Sequence, residues 1–389
     1  MRKQRFGLLA TITTAALVLA ACNGSGSSPS ASTAATTSGA ASASASASES
    51  TGATSDLKIG LVTDVGTLDD KNFNQFSWEG AKAGAEAIGA PEPQSVVTTA
   101  SADYAKNIQS FVDQDYDVIV TVGFALGNDT TIAAKANPDI SFIGVDQGLC
   151  VDETGAPDPN FGCKGDAATL LPNYQGLVFK EAQAGYLAGI VAASISKSGH
   201  IAAIGGTKVV PAVANYIAGY ANAAATVNPD IKVEQQFVSE APDAAAFNDP
   251  AGGKAFAEQL LANNKDVDVL FQVAGKTGNG VLQAACDADI YAIGVDVDQH
   301  LSTPESDACI VTSAEKKLTK AVSDAIGRVA DGSAKGGTVL LDITTDSIGL
   351  SPFYDFQSLI TADIQAKIDA AIAGLKDGSV DPCSPTPCV

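Results

Sequence analysis

Lys58-Ile59-Gly60-Leu61-Val62-Thr63-Asp64-Val65-Gly66-Thr67-Leu68-Asp69-Asp70-Lys71-Asn72-Phe73-Asn74-Gln75-Phe76-Ser77-Trp78-Glu79-Gly80 is the stretch on which the fold turns. It opens with a short β-branched apolar run, 58–62, that predicts a strand. It closes by entering a helical period over 76–88, with Trp78, Ala81, Ala85 and Ile88 on one face. Trp78 reads as core. The same alternation recurs downstream: strand 94–98, helix 104–114, strand 117–122, helix 130–136 and strand 141–145. Strands alternating with helices call for a parallel sheet covered on both faces.

After a polar loop the pattern begins again, with helix 181–196, strand 200–204, helix 212–225, strand 232–238, helix 254–263, strand 267–273, helix 278–285 and strand 291–295. Residues 310–312 then lead into a helix through Arg328, followed by strand 338–343 and a final helix, 361–375. The region 57–389 exceeds the roughly 250–300 residues at which one core stops growing. The expected fold class is therefore α/β, two doubly wound parallel-sheet lobes with a ligand cleft between them. The first lobe is expected at about 57–170 and 310–335, the second at about 171–309 and 336–389. Ligands of open α/β sheets bind beyond the carboxyl ends of the strands, and two such lobes can share one cleft that closes on a solute.

The loop after the first strand admits two readings on residue chemistry alone. Asp69, Asp70 and Asn72 can be turn and cap residues with Phe73 a hydrophobic staple; or the loop is a site in which Asp64 accepts hydrogen bonds and Phe73 stacks.

Residues 1–22 carry a positive start (Arg2, Lys3, Arg5), an apolar stretch too short to span a bilayer comfortably, and the ending Leu19-Ala20-Ala21-Cys22. That ending resembles the lipobox of bacterial lipoproteins, which implies cleavage before Cys22 and acylation of its thiol. Residues 23–56 are nearly all Ser, Ala, Thr and Gly and read as a disordered tether between lipid and domain. The expected location is the extracytoplasmic face of the cell membrane, held by the lipid.

A formal net charge of −21 without a basic stripe disfavours nucleic acid as a partner. Apart from Cys22, six cysteines remain in a chain expected to be exported, and they fall in local pairs: Cys150 with Cys163, Cys286 with Cys309, Cys383 with Cys388. Three structural disulfides are expected. The cysteines lack tight clustering, and His200 and His300 are the only histidines, so neither a metal nor a cofactor is expected.

Taken together, the Asp69 to Gly80 run, Val122-Gly123-Phe124, Gly185-Tyr186-Leu187-Ala188-Gly189, Ile204-Gly205-Gly206, Phe247-Asn248-Asp249-Pro250, Gly294-Val295-Asp296-Val297-Asp298-Gln299 and Thr312-Ser313-Ala314-Glu315-Lys316 resemble the basic membrane protein family. These are bacterial lipoproteins, the nucleoside-binding receptors of ATP-binding-cassette (ABC) transporters with a type I periplasmic-binding fold. The resemblance spans nearly the whole folded region. It implies a nucleoside base, with a purine expected, between Phe73 and Phe247, one from each lobe. It implies carboxylate contacts from Asp64, Asp146 and Asp296 to base and ribose, and Lys316 near the sugar; Asn74 and Gly275 are weaker carry-overs. It also implies an ABC permease as partner and a monomeric receptor. The chain departs from the family at Ala274-Gly275-Lys276-Thr277-Gly278, where paired glycines are usual. Pointing inward, Lys276 would narrow the site or recruit an acidic ligand; pointing outward, it would change nothing.

Other functions fit less of the sequence. No Gly-x-Ser-x-Gly elbow appears, and adjacent carboxylates such as Asp69 and Asp70 are caps more often than glycosidase pairs, so an enzyme is not expected. A type I sugar receptor or a ligand-sensing ectodomain are the alternatives.

Overall fold

Every residue of β1 (Ile59–Thr63) is buried, as a strand covered on both faces must be. The computed structural model of the chain describes residues 55–241 and 243–389. The expected lipidation site Cys22, the expected export signal and the expected tether as far as residue 54 lie outside the described residues.

From β1 the chain enters α1 (Phe73–Ile88), then β2 (Gln94–Val97), α2 (Tyr104–Val112), β3 (Val118–Val122), α3 (Gly127–Ala136) and β4 (Ser141–Val145). A long disulfide-bridged loop carrying the short α4 (Ala167–Leu170) leads to β5 (Tyr174–Phe179) and α5 (Glu181–Ile195). Next come β6 (His200–Thr207), α6 (Pro211–Val227), β7 (Lys232–Ser239), α7 (Pro250–Asn263), β8 (Val269–Val273), α8 (Gly275–Asp287), β9 (Tyr291–Asp296), α9 (Gln299–Ser302) and β10 (Ile310–Lys316). The chain ends with α10 (Leu318–Ala330), β11 (Gly337–Leu341), β12 (Ile348–Leu350) and α11 (Ala362–Asp377).

The strands form two six-stranded sheets, ordered β11-β5-β4-β3-β1-β2 and β12-β10-β9-β8-β6-β7. The first is parallel throughout, and in the second only β12 runs antiparallel, against β10. Leaving out the outermost β11 and β12, both sheets have the doubly wound order 2-1-3-4-5. Its switch point falls between β1 and β3 in one lobe and between β6 and β8 in the other, which is where such sheets bind ligands.

The lobe boundaries differ from those expected. Tyr174–Phe179 and Gly337–Leu341 belong to the first sheet, and Ile310–Lys316 to the second. The chain changes lobe between a strand and its next helix, at Lys180 and again at Lys317, and returns between β11 and β12. A one-residue junction carries no turn signal, so β5 merges into the apolar start of α5. Helix α5 is buried along nearly its whole length, as a helix apolar on all sides must be. The largest core cluster joins both sheets, with Leu61, Val120 and Ile143 from one, Val269, Ile293 and Val311 from the other, and Leu187 and Val191 from α5.

Three disulfides join Cys150 to Cys163, Cys286 to Cys309 and Cys383 to Cys388, with Cα separations of 4.6, 5.2 and 5.1 Å. These spacings lie within the ordinary range for the bond. The second pair ties the end of α8 to the start of β10.

Candidate functional site

The carboxyl ends of β1, β3, β4, β8, β9 and β10 converge on one cavity. Asp64 follows β1 and continues the ladder, its N–H donating to the Val122 carbonyl at 2.9 Å. Its carboxylate is buried and accepts from the Ala125 N–H at 3.3 Å. Gly123, with φ +108°, makes this possible, because a Cβ there would stand 2.0 Å from Asp64 Oδ2. Burial pushes the Asp64 carboxyl up to about 7, with backbone N–H groups only partly offsetting it.

Asp146 after β4 and Asp296 at the end of β9 occupy equivalent positions in the two lobes. Both adopt the left-handed region, at φ 57° and 66°, a conformation Asp tolerates better than most residues. The turn aims both carboxylates at Lys316, the last residue of β10. Lys316 Nζ donates to Asp146 Oδ2 at 2.6 Å and lies 3.5 Å from Asp296 and 3.7 Å from Glu181, the first residue of α5. It also stands 5.2, 5.4 and 5.7 Å from the ring centres of Phe73, Phe179 and Tyr216.

Burial alone would lower the Lys316 pKa, yet three facing carboxylates outweigh it and the ammonium is held more firmly protonated than usual. Burial raises Glu181 to about 8 and lifts Asp296 as well. Tyr216 Oη reaches Asp296 Oδ1 at 3.3 Å from α6. Among the described residues, Asp146 Oδ1 and Asn74 Oδ1 are buried and have no hydrogen-bond partner in the protein.

The loop between β1 and α1 is fixed from beneath by Asp70, whose carboxylate accepts from the N–H groups of Asn72, Asn74 and Gln75 at 2.9, 3.0 and 3.0 Å. Asp70 is therefore the cap of α1, and the helix starts at Phe73 rather than at Phe76. Asn74 Nδ2 donates to the Val65 carbonyl at 2.9 Å, which turns its oxygen the other way. In the facing lobe Phe247 ends a helical turn, Ala244–Phe247, begun by the Asp243 side chain. Its ring lies over Gly206, where a Cβ would approach Phe247 Cε1 to 2.3 Å. Asp249 caps α7 through the Gly252 N–H at 2.9 Å.

Asp64, Phe73, Asn74, Asp146, Phe247, Gly275, Asp296 and Lys316 all line one cavity of about 700 Å³, counted out to its open mouth. The sequence left unassigned Phe124, Tyr216 and the Val210–Val213 side of α6, which also line the cavity. Phe124 sits in a quoted motif directly after β3 and could have been found from the strand-end rule. Tyr216 falls within an apolar helix period and looks like core. Lys276 also borders the cavity, but its Nζ turns to the first lobe, 3.0 Å from Thr67 Oγ1 and 3.4 Å from Asp69 Oδ1.

Among the described residues no group of three or more His, Cys, Asp or Glu side chains could hold a metal ion, and no helix is long and apolar enough to cross a membrane.

Residues 57–375 match the family model Bmp, described as ABC transporter substrate-binding protein PnrA-like. The CD4+ T-cell-stimulating antigen of Listeria innocua is 27% identical over 399 residues, covering 98% of each chain. The ABC transporter nucleoside-binding protein BmpA of Lactococcus lactis is 29% identical over 303 residues, covering 74% of this chain and 78% of its own. Among solved structures, an ABC transporter solute-binding protein from Aeropyrum pernix superposes with a TM-score of 0.70 at 21% identity, over 84% of this chain and 92% of its own.

Proposed function

This chain belongs to the Bmp family of PnrA-like ABC transporter substrate-binding proteins, and we propose that it captures a nucleoside, with a purine base, in the cleft between its lobes. The observation that carries this reading is that Phe73 and Phe247 come from opposite lobes into one cavity that also holds Asp146, Asp296 and Lys316. Every base presents a π-face, and stacking on an aromatic side chain is worth about 1–3 kcal/mol per base. Asp64 and Asn74 stand on the same loop side as Phe73 and serve the base edge. The free Asp146 oxygen and Asp296 accept from ribose hydroxyls as charged acceptors, the stronger class of hydrogen bond. Lys316 pairs with both and orients them. The lactococcal relative, a nucleoside-binding protein, supports the same ligand class. In this reading Cys22 carries the lipid, the tether spans to the domain, and a monomeric receptor delivers its ligand to an ABC permease from the extracytoplasmic face.

Calorimetry across nucleosides, free bases and sugars tests it. Purine nucleosides are expected to bind, and Phe73→Ala or Phe247→Ala is expected to weaken binding by about one stacking increment, on the order of ten- to a hundredfold. Saturable sugar binding without a nucleoside response would overturn the ligand class.

A further inference from the structure

Four polar links run from the second lobe to residues 67–71 of the first. Lys276 Nζ donates to Thr67 Oγ1 at 3.0 Å and stands 3.4 Å from Asp69 Oδ1. Asn279 Nδ2 donates to the Asp70 carbonyl at 3.0 Å, and Ser302 Oγ donates to the Lys71 carbonyl at 2.8 Å. Lys71 Nζ meets the Glu305 carboxylate at 2.7 and 3.0 Å. Each link has one partner in each lobe, so any separation of the lobes at this edge breaks all four together.

Their position is the rim of the cleft. Lys276 lines the cavity at one end of its side chain, while Asp69 at the other end is 85% exposed. Phe73 and Asn74 follow within three residues of the tethered loop.

Two local features draw partners from the opposite lobe. Lys276 places a cation in the first turn of α8, where the helix dipole disfavours it; Asp69, across the cleft, supplies the compensating charge. Lys71 has φ +60°, a strained conformation for a lysine that persists only where its surroundings hold it. Its carbonyl and its ammonium are both held from the other lobe.

We propose that Lys276 and Lys71 form a two-point latch, one cation from each lobe, that holds the cleft closed and sets how long a captured ligand stays. The latch rests on the reading of the cleft as the ligand site, but not on which ligand fills it. The links must part before the cleft can open and let a held ligand go, so the release rate is where the latch is read. Because the ion pairs are exposed, each is individually weak and screened by salt.

The test measures release of labelled adenosine from the full chain for Lys276→Ala, Lys71→Ala, the double variant, and Lys254→Ala as a control, since Lys254 pairs with Asp287 inside the second lobe. Release is expected to quicken up to about fivefold in each single variant and further in the double, with association changed less than about twofold. Raising salt from about 0.02 to 0.5 M is expected to speed release of the unmodified protein and not of the double variant. Asp69→Asn, on an exposed loop that tolerates change, is expected to reproduce part of the Lys276→Ala effect and to add little to it. Unchanged release in both single variants, equal acceleration in Lys254→Ala, or a loss of association matching the gain in release overturns the latch. If adenosine does not bind at all, the ligand reading fails separately. Small-angle scattering of the free protein at low salt then decides the latch: a larger radius of gyration in the double variant supports it and an equal radius refutes it.

Discussion

Asp64 enters the cleft with backbone N–H partners, and no Lys or Arg side chain among the described residues forms an ion pair with it. Burial therefore sets its protonation, raising the carboxyl from 3.8 to about 7. A carboxyl whose pKa is higher folded than unfolded makes the native state hold the extra proton. Its contribution to stability is intact below about pH 4 and is lost as pH rises through about 7. Asp64→Asn removes that dependence. Urea denaturation across pH 4–8 is expected to show a smaller fall in stability for Asp64→Asn than for the unmodified protein; parallel curves would refute the assignment.

Within the elements, α1 shows how a cap and a site can be one structure. Asp70 caps the helix from below, while Phe73 is its first residue and lines the cavity instead of preceding the cap as a staple would. Asp70→Ala is expected to cost about 1–2 kcal/mol of stability, as loss of a helix cap does, and to weaken ligand binding as Phe73 and Asn74 lose their fixed positions. Denaturant titration and calorimetry on the same variant check both effects. Most helix and strand periods were legible to within a few residues, but the short α4, α9 and β12 hold too few residues to show a period. β5 was missed as well, since Lys180 alone separates Phe179 from Glu181. Missing β5 displaced the lobe boundary and hid Glu181, which faces Lys316. The aspartates were reached through the family resemblance, with which their places at strand ends agree; Tyr216 stayed hidden because an inward helix face looks the same whether it meets core or cavity.

For the whole molecule, neither sheet is contiguous in the chain. β11, the outermost strand of the first sheet, is made only after every parallel strand of the second, and it pairs with β5 residue for residue from Gly337 opposite Gln175 to Leu341 opposite Phe179. A chain synthesised from its N-terminus thus holds β5 with one bare edge for most of its production, and a bare edge is a template for pairing with another chain. The Lys180 N–H donates to the Leu341 carbonyl at 2.9 Å, so Val339, two residues earlier, faces β5 as well. Val339→Pro removes a ladder donor there. Refolding of that variant is expected to lose more material to aggregation as protein concentration rises, by light scattering, while equal yields at all concentrations would show that the edge is protected in another way. The strand that completes the first lobe last is, by its lateness, the point at which assembly of this two-lobed chain is most open to error.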